Sequence, residues 1–367
     1  MKNYHPDDVE LWLADFKMAE FSQYIDPMPP HVKYILLDES RELVFDLVDK
    51  LTNEMLSRQR YFMKHRDIKK VEDVPSDIYM PVIFVILDEF SIMSQVLESD
   101  AAYQLKLQNL LAKGRALGIK FIFSSQSFMT GIRGLTSTAK EQIQTRIAMH
   151  NNTEEITETL ELPRFLKTEQ NNFMIATLPV HMALRKYHKS ENELVLERVN
   201  VLYFKGEAEE AYKPQRDLIQ NIQKKLHKID KNEFNGKSKT SYVDKHPVVV
   251  DGNSYNAFIT EKQKILIEEC RKANNDEISE GDVVVSFGSP RRMENIIFSN
   301  ISNESRENML IVAGGAEMQC AASLISTIGR SFEVQDGHVQ IWAYSKNRIY
   351  KTCLLYTSPS PRDRSLS

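Results

Sequence analysis

Cysteine is scarce in this chain. Cys270, Cys320 and Cys353 are its only three among 367 residues. They lie far apart, so neither a disulfide framework nor a zinc site is expected, and a reducing, cytoplasmic setting is. Long apolar runs are missing too. No stretch approaches the roughly 18 residues of a membrane helix, and the opening MKNYHPDDVE has no apolar segment of the kind a secretory leader needs. The nine histidines show no HxxxH spacing, so surface and packing roles are expected of them rather than metal ligation. Positive charge is not in excess either: the net charge of −4 excludes a generally basic nucleic-acid binder, while a local basic surface stays open. What is present is ordinary for a soluble globular protein, with 42% hydrophobic and 27% charged residues. The length admits two domains.

The apolar pattern alternates between two periods. VELWLADFK (9–17) and HVKYILLDES (31–40) read as strands, the second running into a helix start at Asp38 or Ser40. From Arg41 to about Arg66, Val44, Leu47, Val48, Leu51 and Met55 keep helical spacing. After a polar loop, Val82–Leu87 is an unbroken apolar run, β-branched and aromatic, which predicts a strand covered on both faces. AYQLKLQNLLAKGRALG puts Tyr103, Leu107, Leu110, Leu111 and Leu117 on one helical face and closes at Gly118. IKFIFSSQS and QTRIAMH read as two further strands. Strands alternating with helices predict a parallel α/β sheet.

The Val82 strand ends in Asp88 and Glu89. In parallel α/β sheets ligands sit at the carboxyl ends of the strands. There an Asp can hold Mg²⁺ through water, and a Glu beside it can polarise an attacking water. The competing reading is that the two acids only cap the next helix.

Several segments, in order, resemble the FtsK/SpoIIIE family of ring-forming ATPase motors. LWLADFKMAEFSQY is similar to the family strand ending in Asp-Pro-Lys, with Phe16 in place of the proline. NEMLSRQRYFMKHRDIKKVEDV matches its Asn-Glu-Met helix and the arginine-rich turn after it. VIFVILDEFSIM matches its Walker B strand, LAKGRALGIKFIFSSQS its sensor strand, and EQIQTRIAMH its Thr-Arg-Ile-Ala strand. The resemblance covers about residues 9–190. It implies a RecA-like P-loop NTPase fold, a parallel sheet flanked by helices. It also implies ATP and Mg²⁺ as ligands and a homo-oligomeric, hexameric ring that moves a polymer, most often double-stranded DNA. Protein cargo, as in type VII secretion ATPases, and a non-hydrolysing scaffold role are the alternatives. The resemblance assigns Asp88 to Mg²⁺ through water and Glu89 to the attacking water. Gln126, and less directly Ser125, would reach the water or the γ-phosphate. Arg115 and Arg146 would supply positive charge, such an arginine usually coming from the adjacent subunit; a helix C-terminal cation and an ordinary salt bridge are the bland readings of these two. Asp15 and Lys17 would end a strand facing the same site.

No GxxxxGK[ST] precedes Asp15. In the family the phosphate loop comes before the Val9 strand, so the chain is expected to be truncated at its start and not to hydrolyse ATP by itself. The first module is expected over 1–204, a polar lysine-rich linker over 205–246, and a second, truncated α/β module over 247–352. In that module VAGGAEMQCAAS has the setting of a phosphate loop. Aligned on Gly314, it carries Gln319, Cys320 and Ala321 where the second glycine, the lysine and the hydroxyl belong, so it reads as degenerate. Its helix start would hold an anion only weakly. A parent protein could be tied to a membrane through regions outside this sequence. Residues 353–367, CLLYTSPSPRDRSLS, break the pattern and resemble a translated sequencing adapter.

Deleting Cys353–Ser367 should therefore leave the melting temperature of the chain unchanged. A calorimetric drop of several degrees would show that the tail belongs to the fold.

Overall fold

The computed structural model describes residues 3–18, 20–127, 135–190, 193–201, 208–227, 248–251, 283–288, 292–293, 297–301 and 331. The chain divides into two compact units, Met1–Gly252 and Asn253–Ser367.

The first unit is built on five parallel strands: β1 (Val9–Asp15), β2 (Val32–Leu37), β3 (Val82–Asp88), β4 (Ile119–Phe123) and β8 (Val248–Asp251). Their order is β4-β3-β1-β2-β8. β1 and β3 pair in parallel over their whole length, from Val9 opposite Val82 to Asp15 opposite Asp88. β4 continues the register on the other side of β3, with Leu87 opposite Phe123. Three strand ends therefore stand side by side at one edge of the sheet.

On β3, Ile83, Val85 and Leu87 are fully buried, whereas Phe84 and Ile86 are only partly so. The expectation of equal cover on both faces is thus met on one face only. Helix α1 (Arg41–Lys64) buries Leu43, Val44, Leu47, Val48, Leu51 and Met55, the stripe its spacing predicts. Burying a side chain of this size contributes roughly 1.5–3 kcal/mol, so the stripe, more than intrinsic propensity, holds the helix in place. Asp38 accepts the Ser40 N–H at 2.6 Å just before this helix. Helices α2 (Phe90–Glu98) and α3 (Ala101–Gly114) follow β3. Asp100 caps α3, its carboxylate accepting the N–H groups of Ala102 and Tyr103.

Two departures from the sequence reading concern the sheet. QTRIAMH forms strand β5 (Arg146–Met149), but not in the parallel sheet. It pairs antiparallel with β6 (Met182–Ser190), which in turn pairs with β7 (Glu193–Asn200). Short helices α4 (Ser137–Glu141), α5 (Thr153–Leu160) and α6 (Glu169–Ala176) accompany this small sheet. Ala148, Ile156, Leu160, Leu162, Ile175, Leu178 and Leu184 form its own buried cluster. A single strand cannot reveal its partner; the antiparallel hairpin β6–β7 captured β5.

The second departure is the module boundary. Val248–Asp251 is strand β8 of the first sheet, paired with β2 from Tyr34 opposite Val248 to Leu37 opposite Asp251. The first compact unit thus runs to Gly252 and takes in this strand. The start of the expected linker is helix α7 (Ala208–His227), whose Ile219, Ile222 and Leu226 are buried. Gln223 donates to the Met28 carbonyl at 3.0 Å. This helix is part of the first unit, not a tether. In the second unit, β9 (Val283–Gly288) pairs antiparallel with β10 (Ile297–Ile301). The degenerate loop around Gly314–Ala321 and the tail lie outside the described residues.

Gly118 ends the α3–β4 turn at φ +76°, where a Cβ would lie 2.9 Å from Val71 Cγ1. Both the left-handed backbone and the contact oppose a side chain. Gly118→Ala should destabilise the first unit by roughly 2 kcal/mol, measured by urea unfolding; an unchanged midpoint would contradict the geometry.

Candidate functional site

The three strand ends carry the polar groups. Asp15 closes β1 and is fully buried. Its carboxylate binds the turn that follows: Oδ1 accepts the Lys17 N–H at 3.0 Å, and Oδ2 accepts those of Glu20 and Phe21 at 2.6 and 2.9 Å. Phe16, which stands where the family pattern has proline, is buried to 1% exposure and anchors the same turn. Asp15 is therefore spent on the backbone, and its clamp fixes where Lys17 stands.

Asp88 closes β3 and is half-buried. Ser124, just past β4, donates its hydroxyl to Asp88 Oδ1 at 2.5 Å. Among the described residues the other carboxylate oxygen has no protein partner.

Glu89 follows in the left-handed region, at φ 47° and ψ 56°. This conformation is uncommon for a residue with a side chain and is held only where the surroundings over-determine it. By position Glu89 is the N-cap of α2, yet its side chain makes no capping bond. The carboxylate turns instead into the space between the strand ends, 6% exposed as a residue. Lys17 Nζ donates to Oε2 at 2.5 Å. Ser91 donates its hydroxyl to Oε1, and Ser125 Oγ stands 3.3 Å from the same oxygen. Burial works to raise the pKa of this group, but the Lys17 and Ser91 hydrogen bonds, the Lys17 charge and the Gln126 N–H together bring it below the ordinary carboxylate value.

The strand-end loop after β4 is tied on its far side. Ser127 donates to Glu155 Oε1 at 2.8 Å, at the start of α5. Asn151 Nδ2 lies 3.5 Å from the Gln126 carbonyl. Ser125 and Gln126 are exposed and adjacent to Glu89, as their place after the sensor strand predicts.

The two arginines are elsewhere. Arg115 is exposed at the end of α3, before β4 begins. The five residues of β4, roughly 16 Å of strand, separate it from the acids. Arg146 is buried, at 7% exposure, in the small sheet. Its Nε donates to the Ile143 carbonyl at 3.1 Å, Nη1 to Thr159 at 3.2 Å and Nη2 to Lys140 at 3.3 Å. It also pairs with Glu161 at 2.8 Å. All three nitrogens hold backbone, so Arg146 is a structural cation and not part of this site.

Ser91, Ser124 and the Ser127–Glu155 tie escape sequence reading, because serines beside a strand end carry no distinctive pattern. Arg58 escapes it as well. Buried to 2% exposure in α1, it donates to Glu54 at 2.7 Å and to the Leu117 carbonyl at 2.8 Å, fixing the turn into β4. A separate cavity of about 300 Å³, lined by Val9, Val71, Tyr79 and Val82 among others, opens at the amino end of the sheet, away from the acids. Among the described residues no cluster of three or more His, Cys, Asp or Glu could hold a metal directly, and no helix is long and apolar enough to cross a membrane.

A parallel sheet with helices on it thus carries two acids at the end of a central strand beside a serine-glutamine strand end. Residues 1–113 match the model of the FtsK/SpoIIIE family. No curated protein matches the sequence. Among solved structures, EssC (ATPases 2 and 3) from Geobacillus thermodenitrificans is similar at 16% identity and a TM-score of 0.49, covering 90% of this chain and 54% of that one. The cytoplasmic domain of the Thermomonospora curvata type VII secretion ATPase EccC is similar at 17% identity and a TM-score of 0.49, covering 88% of this chain and 35% of that one. The pCW3 conjugation coupling protein TcpA, a monomer form with ATPγS, is similar at 15% identity and a TM-score of 0.42, covering 59% and 58%. The chain thus spans about half of the EssC chain.

The structural cation carries a prediction of its own. Lys186 stands opposite Arg146 in the β5–β6 pairing. Burial and the Arg146 charge push its ammonium down to about 8 from 10.5, with Glu161 opposing them. Between these values the unfolded chain binds more protons at this lysine than the folded one does, so its contribution to stability rises with pH across that window and is flat below about 8. Lys186→Met should remove that rise. The difference between parent and variant in urea unfolding from pH 7.5 to 10.5 reads it, and a pH-independent difference would contradict the assignment.

Proposed function

We propose that the chain is the ATP-hydrolysing module of a homo-hexameric ring motor that moves double-stranded DNA. The observation that carries this reading is Glu89. It sits at a helix N-cap position without capping the helix, and strained backbone aims its buried carboxylate between the strand ends. An acid that only capped the helix would bond the helix N–H groups.

The roles follow from placement. Glu89 orients and deprotonates the attacking water. Asp88, half-buried with one oxygen on Ser124, suits a Mg²⁺ held through water. Mg²⁺, when bound with ATP, neutralises phosphate charge and orients the terminal phosphate. Gln126 and Ser125 stand at the neighbouring strand end, within reach of the water or the γ-phosphate. Lys17 is the nearest cation for the phosphates, and Asp15 acts through it by holding the turn. Arg115, exposed and at the opposite end of the sheet, suits a finger given to the adjacent subunit rather than to its own site. The lysine and amides of a phosphate loop are not among these residues, so the chain by itself should not turn over ATP.

Joined behind a phosphate-loop strand and helix of a family member, it should hydrolyse ATP in the presence of Mg²⁺. Glu89→Gln keeps the size and hydrogen bonding and removes the charge. Turnover should fall by about 10²–10⁴-fold while ATP affinity holds. Turnover within a few-fold of the parent would reduce the two acids to a structural turn, and clear turnover by the unjoined chain would contradict the phosphate-loop argument. Stimulation by double-stranded DNA supports the cargo; stimulation by polypeptide alone would move the reading to protein export, and an intact site that never turns over would move it to a scaffold.

A further inference from the structure

A carboxylate offers about four acceptor sites. At Glu89 the two oxygens are held unequally. Ser91 takes Oε1 and Ser125 stands 3.3 Å from it, while Lys17 Nζ takes Oε2 at 2.5 Å. A general base has to accept a hydrogen bond, and then a proton, from the water it activates. In the pose seen here the Lys17 charge sits on the oxygen that has room for that water, and a carboxylate paired with an ammonium is a weaker base. Lys17 must leave before Glu89 can act.

The three donors differ in what holds them. Ser91 belongs to the first turn of α2, next to Glu89 itself. Ser125 lies in a loop tied down through Ser127 and Glu155. Ser125 divides its single proton between Glu89 and the nearer Ser127 carbonyl, at 2.9 Å. Lys17 is of another kind: it comes from the turn after β1, its side chain is 41% exposed against 7% for Glu89, and it is a flexible cation. An ammonium with open solvent beside it is the donor that polyphosphate can draw away.

We propose that the Lys17–Glu89 ion pair is an autoinhibitory latch, which holds the water-activating carboxylate neutralised until the phosphates of an incoming nucleotide take Lys17 from it. The proposal rests on the ATPase reading above and adds regulation to the same site. The Asp15 clamp is what makes the latch definite, since its three backbone hydrogen bonds fix the turn that carries Lys17.

Two measurements test it. In the chain as it stands, Lys17→Met, Glu89→Gln and the double variant are compared by thermal unfolding at low and high salt. The two substitutions should be non-additive, and the coupling should shrink with salt. Additive effects would overturn the pair. In the phosphate-loop-joined form, Lys17→Met should raise turnover at saturating ATP severalfold while weakening ATP affinity, and adding Glu89→Gln to Lys17→Met should abolish the gain. A purely structural ion pair would show the coupling without the rise in turnover. Turnover that falls on Lys17→Met would make Lys17 a phosphate ligand only, and turnover indifferent to Lys17 would remove the latch; both leave the ATPase reading standing. No turnover in any version would remove the ATPase reading and the latch with it.

Discussion

The site depends on where the β1–β3 pairing stops. The two strands run in parallel from their first residues to Asp15 and Asp88, which are register partners. Parallel pairing in a layered α/β sheet leaves both ends of a strand pointing at the same edge as its neighbours' ends. Once Val82–Leu87 is buried in the middle of the sheet, the acids after it have one place to go. β4 supplies the third strand end, and its hydroxyl on Asp88 closes the row.

At that edge the backbone takes over from the side chains as the organiser. Asp15 gives its carboxylate to the N–H groups of Lys17, Glu20 and Phe21. Unpaired backbone donors beside a buried strand end are expensive, roughly 1–3 kcal/mol each when left unsatisfied, and one carboxylate settles three. Glu89 has the opposite fate. Its left-handed backbone denies it the helix cap, so its charge faces the cleft and finds Lys17. The acids at the ends of β1 and β3 thus differ: Asp15 holds a loop, and Glu89 pairs with Lys17.

The small antiparallel sheet contributes by contact rather than chemistry. Arg146 and Lys186 face each other across β5 and β6 and bind the C-terminal end of α5, while Glu155 at its other end reaches Ser127. A displacement of α5 therefore acts directly on the loop that donates to Glu89. This gives the resting carboxylate a second mechanical neighbour besides the turn after β1.

Much of this was legible in the amino-acid order. The unbroken apolar run before Asp88-Glu89, the 3.6-residue stripe of α1 and the closing Gly118 are local patterns with local causes, and they placed the strand, the helix and the turn. The parallel sheet and the position of Asp88 and Glu89 at its edge followed from them, while Ser125 and Gln126 were assigned by the FtsK/SpoIIIE resemblance, which rests on segments matched in order. Tertiary structure alone decided the rest. It sent β5 to an antiparallel hairpin and β8 to the first sheet, because a strand's partner is chosen by whichever edge is free, and no residue of the strand encodes that. It also buried Arg146 on backbone carbonyls, left Arg115 at the far end of the sheet, and set Lys17 against Glu89 across 72 positions of sequence. Charges meet through space, and only the folded path of the chain brings these two within a hydrogen bond.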